Sequence, residues 1–335
     1  MATLGLISAT LADVAKRTDP DGRISTIVEI LKESNPILED MKVVECNNNT
    51  THRTTVRATL PEVEFRMFNQ GVGKSKSTTM QVEDATAMAE AYSDVDVDLA
   101  MLNGNTQEFR LSEDRAFIEA MNQTMARTLF YGNQALEPMK FTGFTPRFNK
   151  LSYDNVLDFG GTGADNTSIW LIPWGDNTCH GIYPKGSKAG LQTKDLGEET
   201  VQDSEGKMYQ ALRSHYQWKL GLSVRDSRYV KRIANIPMSG MTEIINSGSV
   251  NPTTGAKLIR LMIAAVNRMP STGGAYSPVW YMNKDVKTML DIMAMEKTNV
   301  HLSISEFEGK PVTRFLGHPI RQLDVLINTE EKVVA

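Results

Sequence analysis

Hydrophobic spacing divides the chain into stretches of period three to four and stretches of period two. The first kind is clearest between Ser112 and Gly132, where Phe117, Ile118, Met121, Met125 and Leu129 share one helical face. Ser112 stands at an N-cap position, Glu113 and Asp114 follow in the first turn, and Gly132 suits the C-terminal end. The pattern predicts a helix over 112–132, roughly 28 Å long. Two further stripes are Leu258, Ile259, Met262, Ala265 and Val266 in "GAKLIRLMIAAVNRM", and Val286, Met289, Leu290 and Met293 in "NKDVKTMLDIMAM". Near the start, "SATLADVAKR" reads as a short helix. "DGRISTIVEILKESNP" reads as a better one, with Ile24, Ile27, Val28 and Leu31 on one face and Pro36 beyond its end.

Period two dominates residues 51–103. Val63, Phe65 and Met67 alternate with Glu62, Glu64 and Arg66, and Val95, Val97 and Leu99 alternate with Asp94, Asp96 and Asp98. These stretches predict a two-stranded excursion with "NQGVGKSKSTT" at its tip. Such a ribbon is marginal alone and needs a neighbour to lie on, another chain being one candidate. Residues 140–250 break into short apolar runs, "SIWLIPWG", "CHGIYP" and "YQWKLGLSV", between turn residues. "SPVWYM" reads as a strand, and the chain closes with "ISEFEGKPVTRFLGHPIRQLDVLI", strands punctuated by glycine and proline. Helices and antiparallel strands in separate blocks make the class α+β.

Composition narrows the function. The 335 residues are 41% hydrophobic and 23% charged, ordinary for a globular chain of more than one lobe. A net charge of −4 argues against a dedicated nucleic-acid binder. No apolar run approaches the ~20 residues of a membrane span, and the N-terminus lacks the basic start of a secretory signal. The two cysteines, Cys46 and Cys179, lie far apart and read as reduced thiols in a cytosolic setting. Eighteen methionines suit irregular packing and adaptable contact surfaces.

Candidate chemistry is thin. Residues 69–79 mix glycine, lysine and hydroxyls like a phosphate loop, but the first glycine of that motif would fall on Phe68. A mobile loop between strands is the competing reading. Asp94, Asp96 and Asp98 begin like a calcium loop, yet Leu99 and Asn105 stand where it needs Gly and Glu. His52, His180, His215, His301 and His318 have no ligand spacing, and adjacent Cys179 and His180 do not form a catalytic pair. The residues therefore point to no enzyme, metal or cofactor. Charge is more informative: 77–109 holds acidic residues and no Lys or Arg. Lys207, Arg213, Lys219, Arg225, Arg228, Lys231 and Arg232 cluster among Tyr209, Tyr216, Trp218 and Tyr229. Basic residues among aromatics can bind single-stranded nucleic acid. Complementary charge between subunits is the stronger reading, which makes Asp94, Asp96, Asp98, Arg225, Arg228 and Arg232 candidate intersubunit contacts.

The order of these pieces, with "YMNKDVKTMLDIM" and "LGHPIRQLDVLIN", resembles the major capsid proteins of tailed bacteriophages, most closely the epsilon-fifteen-like short-tailed group. The resemblance covers essentially the whole chain. It implies an N-terminal arm (1–50), an extended loop (51–103), a peripheral domain (104–145 and 295–335) with the 112–132 spine helix, and an axial domain (146–294). It further implies pentamers and hexamers in an icosahedral shell around double-stranded DNA, built in the host cytoplasm, with portal, decoration and scaffolding proteins as partners. Scaffolding, if used, would be a separate protein. Lys74 and Lys76 sit where some relatives carry a loop lysine that crosslinks to a neighbour, which adds them to the candidate contacts. The alternatives are another virion component, such as a portal or decoration protein, or a soluble enzyme using 69–79 for phosphate.

Overall fold

The computed structural model describes residues 33, 35–101, 106–203, 205–239, 252–270, 276–295, 302–307 and 310–334. The apolar stripes of both expected N-terminal helices lie outside them. In chain order the described elements begin with α1 (Ile37–Asp40), β1 (Val43–Glu45), β2 (Thr51–Thr59), β3 (Thr78–Asp96), α2 (Val97–Met101), α3 (Thr106–Tyr131) and α4 (Phe144–Arg147). Strands β4 (Val156–Asp158), β5 (Asn166–Trp174), β6 (Cys179–Tyr183), β7 (Leu191–Gln202), β8 (Met208–Val224) and β9 (Lys231–Pro237) follow. The chain ends with α5 (Pro252–Asn267), β10 (Ser277–Met282), α6 (Lys284–Met295), β11 (Leu302–Phe307), β12 (Lys310–Phe315) and β13 (His318–Gln322).

One sheet path runs β11-β12-β13-β10-β5-β6-β8-β3-β2, with β7 on β8 and β9 on β5. Its centre explains the densest apolar runs. Every residue of β5 is buried, and its side chains alternate between two cores. Trp170, Ile172 and Trp174 enter one core with Met125, Leu129 and Phe130 of α3. Ile169 and Leu171 enter the other with Leu258 and Met262 of α5 and Val286, Met289 and Leu290 of α6. The antiparallel neighbour β10 splits in the same way, Tyr281 to the first core and Trp280 to the second. A strand covered on both faces loses the polar half of its alternation, so "SIWLIPW" reads as unbroken apolar sequence. Each large side chain buried there contributes about 1.5–3 kcal/mol.

Strand β3 serves two ladders. Residues Thr78–Ala85 pair with β2, and Thr86–Asp96 pair with β8. The neighbour the ribbon is expected to need is found in its own chain, where the return strand lies on β8. Three further expectations change. The outward run Val63–Met67 is no strand, because residues 60–77 form neither helix nor strand. The segment opposite it, rich in Gly and Ser, offers no apolar face for it to pair with. The return strand stops at Asp96, whose carboxylate accepts from the amides of Asp98 (2.9 Å) and Leu99 (3.3 Å) and turns the chain into α2. The long helix α3 begins at Thr106, before Ser112, so Ser112 lies inside it and caps nothing. Its C-terminal half carries the burial, at Met121, Met125, Ala126, Thr128, Leu129 and Phe130.

Candidate assembly surface

Residues 60–77 form a loop whose apolar side chains face solvent. Leu60, Val63, Phe65, Met67, Phe68 and Val72 are all exposed, the two phenylalanines almost fully, and Met80 continues the patch onto β3. Monomeric proteins seldom leave this many large apolar groups contiguous and bare. The loop is shaped by its own polar groups. The Gly73 amide donates to the Glu64 carboxylate (3.3 Å), the Ser75 hydroxyl donates to the Glu62 carbonyl (2.8 Å), and Asn69 takes a left-handed turn at φ 66°. A carboxylate therefore occupies the amide that a phosphate would need, and a strand follows the loop where a phosphate loop opens a helix. Lys74 and Lys76 are exposed here, so the structure places them on the apolar loop itself.

The acidic and basic blocks meet inside one chain. The β3–β8 register sets Asp94 opposite Arg213. The Arg213 guanidinium donates to both Asp94 oxygens (Nε–Oδ1 2.6 Å, Nη2–Oδ2 2.8 Å) and to Glu199 of β7 (3.2 Å). Hydrogen bonding to Asp94, with the nearby carboxylate charges, holds Arg213 firmly protonated. On the same strands Arg110 of α3 donates to Asp195 (2.7 Å), which keeps that carboxyl below the usual carboxylate range. Asp94 is therefore satisfied within the subunit, and Asp96 caps α2, so neither is a free contact for a neighbour. Antiparallel pairing brings the blocks 83–98 and 207–224 together, so Asp94 of the acidic block finds its cation, Arg213 of the basic block, inside the same chain.

Arg232 departs furthest from expectation. It is 1% exposed and lies in a buried clasp. Its guanidinium donates to Glu330 (2.9 Å), the Ser168 hydroxyl (3.0 Å) and the Phe148 carbonyl (2.8 Å), and it stacks 5.0 Å from the centre of the Trp170 ring. Glu330 also accepts from Ser168 and from the Tyr131 hydroxyl (2.7 Å) at the end of α3. Arg232 thus has no surface to offer a partner. Asp98, Arg225 and Arg228 are exposed, although Arg228 folds onto Asp226 (2.7 Å). Tyr216 and Tyr229 are buried, which removes two of the aromatics that a nucleic-acid platform would need. Both cysteines are buried, and burial pushes the Cys46 thiol up to about 11 and that of Cys179 higher still, so neither is a nucleophile.

Sequence reasoning missed Glu330, which lies in an unpatterned terminal stretch with no signal of its function. It also missed Phe68, which sits outside the alternation yet belongs to the exposed patch.

The family model for major capsid protein GP7 matches residues 19–334. A solved chain of bacteriophage Epsilon15 is 35% identical, with 100% of this chain and 99% of that chain covered and a TM-score of 0.78. The SrpI encapsulin of Synechococcus elongatus PCC 7942 overlaps more loosely, at 11% identity and a TM-score of 0.46, covering 69% of this chain and 98% of that one. No curated protein matches. The chain therefore belongs to the major capsid protein GP7 family, with the tailed-phage major capsid fold.

Proposed function

We propose that copies of this chain assemble, as pentamers and hexamers, into the icosahedral head shell that encloses phage double-stranded DNA. The observation that carries the reading is the apolar patch of residues 60–77, which a lone subunit leaves in water. At about 25 cal/mol per Å² of apolar area, covering it repays association many times over in a closed shell. A second copy of the chain is the natural cover, since every copy presents the same loop. In this reading 51–103 is the extended loop, 104–145 with 295–335 the peripheral domain, 146–294 the axial domain and 1–50 the arm. Lys74, Lys76, Asp98, Arg225 and Arg228 remain contact candidates because they are exposed, while Asp94, Asp96 and Arg232 act within the subunit.

The net charge of −4 supports a container that does not grip its cargo, because each phosphate contact would add a salt-dependent attraction. Assembly takes place in the host cytoplasm, with portal, decoration and scaffolding proteins as partners, and the chain itself performs no catalysis. The test is electron microscopy of the expressed chain, with and without co-encoded partners. Shells, tubes or isolated capsomers are expected. A monodisperse monomer at high concentration under every condition, partners included, overturns the proposal.

A further inference from the structure

At the point where β3 changes partners, two histidines meet. The switch falls between Ala85, paired with β2, and Thr86, paired with Gly221 of β8. The backbones cross so closely that a Cβ on Gly221 would lie 2.6 Å from the Ala85 carbonyl oxygen. His52 of β2 stands directly opposite Asp84 of β3, and His180 of β6 opposite Ser223 of β8. The two imidazoles pack edge to face with ring centres 5.5 Å apart. His180 is 2% exposed. Neither of its ring nitrogens, nor Nδ1 of His52, has a hydrogen-bond partner among the described residues, although the Gly175 backbone lies close to His180.

We propose that this pair is a proton-operated release for the loop: protonation unseats β2 and the first half of β3 from the body, while the β3–β8 ladder stays closed. Charge balance around the pair carries the argument. From β3, Asp84 faces the site; its charge is balanced by Arg147 of α4, which binds Oδ1 (2.7 Å), while Oδ2 is buried without a partner among the described residues and is the one acceptor left to His52. From the β5–β6 turn, Asp176 is already paired with Lys42 (2.6 Å). Arg225, just after β8, faces both rings, and its guanidinium donates to the Asp176 carbonyl (3.4 Å) and, among the described residues, to no carboxylate. Cys179 contributes a neutral thiol. In charge, each facing carboxylate is already balanced by a cation, and one arginine is in surplus. A proton on either ring therefore adds uncompensated positive charge in a buried site, and a second proton places two cations 5.5 Å apart. Separating β2 from β6 relieves both costs, because it takes His52 away from His180 and opens the site to water.

The sign follows from burial, which lowers the affinity of both rings for a proton when the ribbon is seated. The opened form binds more protons, so seating is fully stable above the ordinary histidine range and weakens as pH falls through it towards the depressed values. The device acts within one chain and does not depend on assembly.

Hydrogen–deuterium exchange on the full chain, in one fixed assembly state, at about pH 7.5 and about pH 5.5 tests the proposal. After correction for intrinsic rates, amides of 51–59 and 78–85 should exchange at least about tenfold faster at the lower pH, with 211–221 unchanged. His52→Gln combined with His180→Gln should remove that acid response. If the buried substitution prevents folding, His52→Gln alone must move the midpoint of acid opening to lower pH. Absence of a ribbon-specific response in the wild type, an undiminished response in the double variant, or an unmoved midpoint in His52→Gln overturns it.

Discussion

Arg213 holds Asp94 with two parallel hydrogen bonds across the β3–β8 ladder, at 2.6 and 2.8 Å, with both side chains about one quarter exposed. Planar two-point pairing is the strong form of a salt bridge, and partial burial protects it from solvent screening. The bond ties the strand that carries the exposed loop to the strand beneath α3. Its loss is a folding defect of the single subunit and only secondarily an assembly defect. Arg213→Ala should lower subunit stability by about 1–2 kcal/mol, and a double-mutant cycle with Asp94→Asn should give a coupling of about 1 kcal/mol. Urea unfolding of unassembled subunits measures both. Asp94→Asn subunits that unfold like wild type but fail to assemble would return Asp94 to the list of intersubunit contacts.

Glu330 joins three parts of the fold through Tyr131, Ser168 and Arg232. Removing it leaves a buried guanidinium without its counter-charge, which costs about 3–5 kcal/mol. Glu330→Ala should therefore shift the denaturation midpoint strongly at unchanged slope, and Glu330→Gln should shift it less because its one amide oxygen can still accept from Arg232 and Ser168. Replacing the pair by apolar groups of similar size, Glu330→Leu with Arg232→Met, should recover most of the loss. An Ala variant no weaker than the Gln variant would show that the clasp rests on the charge of Glu330 and not on its hydrogen bonds.

The parts of the fold legible in sequence were those where one face is buried and the other wet, or where both are buried. The α5 and α6 stripes repeat with the helical period because each packs on the sheet, and "SPVWYM" reads as an unbroken apolar strand because both its faces are buried. Legibility failed where pattern and partner part company. Val63, Phe65 and Met67 alternate like a strand, yet no strand lies opposite them; their period two describes a surface left open. The charge blocks were visible, but sequence separation hid the register that sets Asp94 against Arg213, some 119 positions apart. The clasp was invisible for the same reason, because a lone Glu330 and a lone Arg232 carry no periodic signature.

The exposed loop makes a separable prediction. Phe65→Ser with Phe68→Ser removes apolar groups that touch little within the subunit, so subunit stability should change by no more than a surface substitution allows, about 0.5 kcal/mol. Assembly should fail or require much higher concentration. Trypsin should cut the wild-type free subunit at Lys74 or Lys76, since exposed glycine- and serine-rich tips are preferred nicking sites, and the same bonds should be protected in shells. Equal cleavage in both forms would mean that no neighbour covers the tip.

Gly132 and Gly186 separate two reasons for using glycine. Gly132 follows α3, and a Cβ there would lie 2.5 Å from the carbonyl oxygens of both Thr128 and Phe141, backbone atoms that cannot swing aside. Gly186 sits in a turn at φ 77° with open space around it. Gly186→Ala should thus cost only the left-handed backbone penalty, about 1–2 kcal/mol. Gly132→Ala must displace either the last turn of α3 or the returning strand of chain at Phe141. Both are built into the aromatic core of Phe130, Phe141, Phe144 and Trp170, so the cost should exceed 2 kcal/mol and approach the upper range for single substitutions. Displacing α3 also moves Tyr131 from Glu330, which couples the two sites: the penalties of Gly132→Ala and Glu330→Gln should add to less than their sum in the double variant. Thermal unfolding of the four chains tests this, and strictly additive penalties would show that the strain at Gly132 is absorbed without reaching the clasp.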